Sequence, residues 1–580
     1  MVESGTGRPV AGAAVVASGD ALQGERRAQT DASGAFELTN LPPGAISLDV
    51  QADGYQSSTR EGVAIHLDTM LRLRLELLPS DAAGAAMRGG AQLPAISAPS
   101  SATVLVVARD QTELIPYGRE RQSFEEAAAA LPGVLVEPQG LRIEEARLSQ
   151  SRTVVDGVDV SGDLPPRLAQ RFVEELSVLR GVYAAEFGRA TGALIHAETR
   201  SGGNEFHGSV FGSVLPFELS RRQPGDALRY AGQGGFELGG PIQKDRLWFH
   251  AGLAPETVAT QAGTDPDLQY AGKLSWKPAD GQSLSLSAFG DPGGGRGSND
   301  LSLRYFGDAA GVLLVGAGSW HHLRAGGDRT EGALSAGTFA QLLGHHRLKA
   351  GADLARETFG RGQQTLFAAF AQDSWGMLDA VWLDAGLRYE EQRGAGDASA
   401  LLPRVGLSGD FTGRGLSRLY AAFGRFFQPG TPEGGGGFVQ SAFSSGLQVQ
   451  LYRDLVASID YTHKQSFDGV VLSVGKQLSE NYLLQASYAT SSTSLSSLFK
   501  LEAAYAYEWT PKTTVSLGIA LQAVDRNAWK VGLDLRAALR YALTPTYQLT
   551  LNADLLNALD QQADVSQPPL SARLSAALSF

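Results

Sequence analysis

Cysteine is missing from this 580-residue chain, which removes disulfide scaffolds, Cys-ligated zinc, iron-sulfur clusters and thiol nucleophiles together. The redox compartment stays open. Charge is sparse and tilted acidic: 49 Lys and Arg stand against 61 Asp and Glu, for a net charge of −12. No basic cluster stands out, and nucleic acid, which is bound through such clusters, is excluded as the main partner. Also missing is the run of ~18 apolar residues that a membrane-spanning helix requires. A membrane barrel survives that absence, because transmembrane strands turn only alternate residues to lipid; the mean hydropathy of −0.11 fits such averaging. Glycine, in contrast, is abundant at 70 residues, well above the usual ~7 %. The glycines keep no three-residue period, so the chain is not collagen-like. Its length points to several domains or to one that is not a compact globule.

A period of two dominates the C-terminal part. In 529–541, Trp529, Val531, Leu533, Leu535, Ala537, Leu539 and Tyr541 fall on one face, and Lys530, Gly532, Asp534, Arg536, Ala538 and Arg540 on the other. At ~3.3 Å per residue the run is roughly 40 Å long, and a tilt of ~45° projects it onto about 28 Å, a hydrocarbon layer with its aromatic borders. Soluble strands are usually ~5 to 6 residues long. Leu501, Ala503, Tyr505, Tyr507 and Trp509 alternate with Glu502, Ala504, Ala506 and Glu508, and the chain closes on Leu574, Ala576, Leu578 and Phe580 alternating with Arg573, Ser575, Ala577 and Ser579. Similar segments run back to about Phe206. Residues 205–580 are therefore read as an antiparallel transmembrane β-barrel of about 20 to 22 strands, with Trp509, Trp529 and Tyr541 in its membrane girdle. Stretches 257–267, 291–300, 428–444 and 560–569 read as its larger loops.

The first third is organised differently. Residues 1–80 read as a small β-sandwich, with Pro9-Val10-Ala11-Gly12-Ala13 as an early turn and Leu71, Leu73, Leu75 and Leu77 alternating towards a core. These residues resemble the carboxypeptidase-regulatory-like fold, an accessory module without catalytic groups. Only Met1 to Arg8 precede that turn and no signal peptide is seen, so the first strand is expected to be incomplete and the true N-terminus to lie upstream. Residues 81–100, rich in Ala, Gly, Ser and Pro, have the composition of a linker.

Residues 101–204 form a further α+β unit: an apolar strand at Thr103–Ala108, a helix starting at Ser123, and then a succession of motifs. Leu131-Pro132-Gly133-Val134, Val154-Val155-Asp156-Gly157-Val158 and Ala185-Glu186-Phe187-Gly188-Arg189-Ala190-Thr191-Gly192-Ala193 resemble the plug of TonB-dependent outer-membrane receptors. Thr199-Arg200-Ser201-Gly202-Gly203-Asn204-Glu205-Phe206-His207-Gly208 is similar to the plug-to-barrel junction of the subgroup often called Oar-like. The resemblance covers nearly the whole chain. It implies a plugged barrel in the outer membrane with the N-terminal module in the periplasm, substrate uptake energised through TonB, and outer-membrane lipid and the barrel assembly machinery as partners. Phe580 would then act as the assembly signal. The substrate stays unidentified. In 81–100 only Ala91-Gln92-Leu93-Pro94-Ala95-Ile96 offers a short apolar TonB-binding segment, and the composition there reads as linker. With little chain left for long outer loops, a non-transporting envelope scaffold in signalling, secretion or surface machinery is the alternative.

No Gly-x-Ser-x-Gly elbow or His-Glu-x-x-His helix occurs, so no enzyme, cofactor or catalytic residue is expected. His321-His322 and His345-His346 could each give only one ligand to a shared metal site, since neighbours on a strand face opposite ways; no metal site is expected. The site residues are instead plug and lumen charges placed to meet: Asp156, Arg180 and Arg189 on the plug, and Glu502, Asp534, Arg536 and Arg540 on the barrel.

Overall fold

The computed structural model describes residues 1–580 except 20–21, 40, 82–95, 97–99, 117–123, 138–139, 145, 147, 163–167, 217–227, 261–262, 294–296, 310, 325, 379, 395, 433–434, 466, 480, 493–496, 526–528 and 560–569. Most of the expected linker, including most of the apolar stretch at 91–96, the helix start at Ser123 and the loop at 560–569 lie outside the described residues. Ile96 is described, and buried. No described helix is long and apolar enough to cross a membrane, which says nothing of strands.

From His207–Pro216 to Ser571–Ser579, 22 strands pair antiparallel with their sequence neighbours, and the first pairs with the last to close the barrel. Alternation dictates this closure. One face of each strand is apolar and would be exposed anywhere but in lipid, and closing the sheet leaves no unpaired edge in a medium without water. Leu517, Leu539, Leu551, Leu574 and Leu578 turn outward and exposed, while Ser516, Arg536, Asp554 and Arg573 are buried inside. Two expected loops are corrected. Residues 257–267 belong mostly to the paired strands Leu247–Thr260 and Gly263–Trp276, and 428–444 is strand from Phe438 onward. Their Gly, Pro and Asp content suggests a turn, yet lateral partners satisfy the backbone and allow polar strands to continue.

The lumen holds a mixed five-stranded sheet in the order Val158–Asp159, Arg152–Val155, Leu194–Thr199, Val173–Arg180, Thr103–Ala108. Two short helices, Arg109–Leu114 and Phe124–Ala128, lie against it. Its apolar core, including Phe124, Leu131, Val155, Phe172 and Ile195, runs into wall residues Phe211, Phe289 and Leu483. Plug and barrel thus share one buried cluster.

Before the plug, Arg26–Gln29, Ala14–Ser18, Gly44–Gln51 and Ser58–Ile65 form a four-stranded sheet, and Val2–Glu3 pairs with Glu76–Leu77. Val15, Ile46, Leu48, Val63 and Leu77 are its core, with Leu71, Leu73 and Leu75 packed on it. The alternating leucines do face inward, but strand pairing there is confined to Glu76–Leu77: side-chain burial holds the rest of that run without a ladder.

Candidate functional site between plug and barrel

The segment Ala185-Glu186-Phe187-Gly188-Arg189 follows the strand Val173–Arg180 and runs along the inner wall. Gly188 permits this approach, since a Cβ there would overlap the side chains of Glu390 and Arg388. Arg189 then reaches Asp353, and Glu331 at 3.2 Å, while its backbone N–H donates to Glu390 at 3.1 Å. Glu186 pairs with Lys349, and its N–H donates to Gln372 Oε1 at 2.9 Å. Thr191 N–H donates to Gln428 at 3.2 Å, and Lys464 Nζ donates to Thr191 O at 3.0 Å. Six residues of plug, 186–191, therefore meet six barrel strands.

On the neighbouring flank, Arg152 bridges Asp159 of its own hairpin at 2.8 Å and Glu331 of the barrel at 3.1 Å, and Arg329 of the barrel returns to Asp159 at 2.6 Å. Burial opposes ionisation of Asp159, but Arg329 and Arg152 outweigh it and hold the carboxyl well below its usual range. A third cluster forms at the plug hairpin. Asp156, at φ 48°, begins the turn with Gly157 and accepts from Lys273 Nζ at 2.9 Å; Lys273 also meets Glu198 at 2.7 Å. Arg304 donates to Glu198 at 3.0 Å. Against the cost of burial, Arg304 and Lys273 keep Glu198 strongly acidic.

The remaining plug and barrel charges take partners of their own. Arg180 pairs with Asp460 at 3.0 Å, and Arg540 with Glu113 at 2.9 Å. Arg536 donates to the carbonyls of Thr112 and Glu113 at 3.2 and 3.1 Å while held by Asp554 at 2.7 Å. Asp534 accepts the backbone N–H of Asn557 within the wall, and Glu502 is buried on the lumen face between Gln485 and Ala520. None of these ion pairs joins two of the seven residues singled out in the sequence. The barrel partners are Glu331, Asp353, Asp460 and Lys273, inward positions whose one sequence signal is a charge on the lumen side of a strand, where it requires a counter-charge or water; Arg540 of the barrel instead meets Glu113 of the plug helix Arg109–Leu114.

Around the rim, Trp529 and Tyr541 sit near opposite ends of Trp529–Ala542 with exposed rings, and Trp509 is exposed near the end of Ser497–Thr510. Phe580 exchanges two backbone hydrogen bonds with Gly208, at 2.9 and 3.0 Å, completing the seam. The paired histidines diverge: His321 meets Asp300 inside and His322 meets Asp328 outside, while His346 meets Asp373. Among the described residues no group of three or more His, Asp or Glu is placed to hold a metal ion.

Residues 1–78 match the family model described as carboxypeptidase regulatory-like domain. Over 399 residues the chain is 30% identical to the TonB-dependent transporter Oar of Myxococcus xanthus, a match covering 59% of this chain and 38% of that relative. The chain thus spans well under half of the relative's length. Among solved structures, the siderophore receptor PirA from Acinetobacter baumannii superposes with a TM-score of 0.66 at 13% identity, over 82% of this chain and 98% of that one. The ferric enterobactin receptor PfeA from Pseudomonas aeruginosa gives 0.67 at 13%, over 83% and 99%. At these identities the likeness is one of fold, the plugged barrel of TonB-dependent receptors.

Proposed function

We propose that this plugged barrel is an outer-membrane receptor that moves a substrate by a TonB-driven rearrangement of its plug, with the N-terminal module in the periplasm. One observation carries the reading: the lumen holds a sheet of its own, not hydrogen-bonded into the barrel ladder, that is attached to the wall through buried ion pairs such as Arg189 with Asp353 and Glu331, and Arg180 with Asp460. Such pairs hold firmly when intact and lose heavily when one partner is withdrawn, which suits an attachment that has to be both secure and breakable. The transporter name of the Myxococcus relative supports the same assignment.

A specific feature favours a second reading, a non-transporting scaffold. Opposite the end bearing Phe580, several strands are joined by brief connections, such as 360–361 between Phe359 and Gly362, and longer ones are confined to a few places such as 217–227 between Pro216 and Leu228 and 557–570 between Leu556 and Ser571. Substrate sites built from long outer loops have little room there. Binding to a purified TonB C-terminal domain decides between the two. Micromolar binding that is lost when residues 81–100 are deleted supports the transporter; no binding, under conditions where an authentic receptor binds, supports the scaffold.

A further inference from the structure

Five residues of the N-terminal module, 66–70, reach from the plug sheet to the barrel rim. His66 Nδ1 contacts Glu175 Oε2 at 2.7 Å, and the Leu67 N–H donates to Glu175 Oε1 at 2.5 Å. Asp68, in a left-handed conformation at φ 56°, accepts from Ser177 Oγ at 2.7 Å and contacts His196 Nδ1 at 2.9 Å. Ser177 and His196 are direct partners on adjacent plug strands, so one carboxylate clamps both. Two residues later, Met70 Sδ lies 2.8 Å from Arg347 Nη2, which also pairs with Glu37 of the module at 3.1 Å. Arg347 belongs to the barrel strand His345–Phe359, next to the turn at 342–344. That turn is at the same end as Phe580. Arg72 continues the contact, 5.2 Å over the Trp382 ring.

Composition of this joint is telling. The module's apolar core contains only module residues, and the plug core contains only plug and barrel residues. Among the described residues the two meet through polar groups without a shared apolar cluster, the character of an interface that opens. The loop itself is preformed by Thr69, whose hydroxyl donates to His66 O at 2.8 Å.

We infer that the N-terminal module is a releasable brace: residues 66–70 pin two neighbouring plug strands to the barrel rim, and the plug moves only after this contact is broken. Rearrangement of the plug separates Ser177 and His196 from the wall strand holding Arg347, and the same short segment cannot follow both. The brace acts on the plug whatever the substrate, and its test uses neither TonB nor substrate, so it stands or falls apart from the transport reading.

The test uses the full chain, refolded in detergent, with Asp68→Gly, which tolerates the backbone conformation, combined with His66→Ala, and separately Arg347→Gln at the rim end. Two quantities are read: amide hydrogen exchange in Val173–Arg180 and Leu194–Thr199, and the urea concentration at which the barrel conducts in a planar bilayer. We expect exchange in those plug strands at least tenfold faster in both variants and conduction at lower urea, with the barrel still resisting unheated SDS. Unchanged plug exchange and unchanged opening in a folded barrel overturn the inference, as does faster exchange confined to the module. Should the double variant fail to fold, Arg347→Gln alone decides by the same readings.

Discussion

Arg189, at φ 61°, is placed by the glycine before it so that its guanidinium enters a cluster with Glu331 and Asp353. Removing that one cation leaves two carboxylates facing a reduced positive charge in a buried place. Arg189→Gln is therefore expected to weaken plug retention by roughly 3 kcal/mol or more, read as a lower urea midpoint for plug unfolding inside an intact barrel. His196 offers a second measurement. Burial works against its protonation, but Asp68 prevails and raises its pKa; Glu198 adds to the rise, while Arg152 opposes it. Asp68 is correspondingly lowered, with His196 overcoming its burial. A raised histidine contributes its stability in full below about pH 6.5 and loses it as pH passes the folded value. Protection of Leu194–Thr199, corrected for intrinsic exchange rates, should thus be full below about pH 6.5 and fall as pH rises above it, and the fall should vanish in His196→Gln. Of these two roles, the motif containing Arg189 was visible in the sequence, whereas the service of His196 to a distant aspartate was not, because no local pattern links positions 68 and 196.

Strands tell a related story at the scale of the element. Trp529–Ala542 was readable from its alternation alone, since lipid on one side and a polar lumen on the other impose a period of two. The hairpin formed by Leu247–Thr260 and Gly263–Trp276 was not, because its outer half carries Pro, Asp and Thr on strands that owe their order to lateral neighbours. Closure depends on one further element. Ser571–Ser579 pairs with Gln548–Leu556 on one side and His207–Pro216 on the other, and Phe580 adds the last bonds to Gly208. Deleting Leu578, Ser579 and Phe580 removes part of both ladders together. The expected result is loss of the compact, heat-modifiable band on unheated gels, with far-UV circular dichroism reporting less sheet; a normal band would show that the seam closes without them.

Across the whole molecule, plug and barrel are held by carboxylates kept acidic by surrounding arginines and lysines, with Asp159 and Glu198 the clearest plug examples. A depressed carboxyl contributes stability above its unfolded pKa, near 4, and loses it as pH falls through the folded value. The urea needed to free the plug should stay level, as far as these carboxylates are concerned, from about pH 5 upward and drop below about pH 4, read by the onset of conduction. Removing Arg304 by Arg304→Gln should move that drop to higher pH, because Glu198 would then protonate more readily.

Which face meets lipid in strongly alternating strands such as Trp529–Ala542, and the succession of module, plug and barrel motifs, were written locally, in alternation, composition and short motifs. These properties depend on neighbours a few residues away, and on solvent, so a linear reading reaches them. The pairing of Arg180 with Asp460, of Arg189 with Asp353, and of His66 and Asp68 with the plug sheet joins residues 100 or more positions apart. Charge is interchangeable in sequence: any inward arginine could serve any inward carboxylate. Only barrel closure, which sets the height and azimuth of every side chain around the plug, chooses among them.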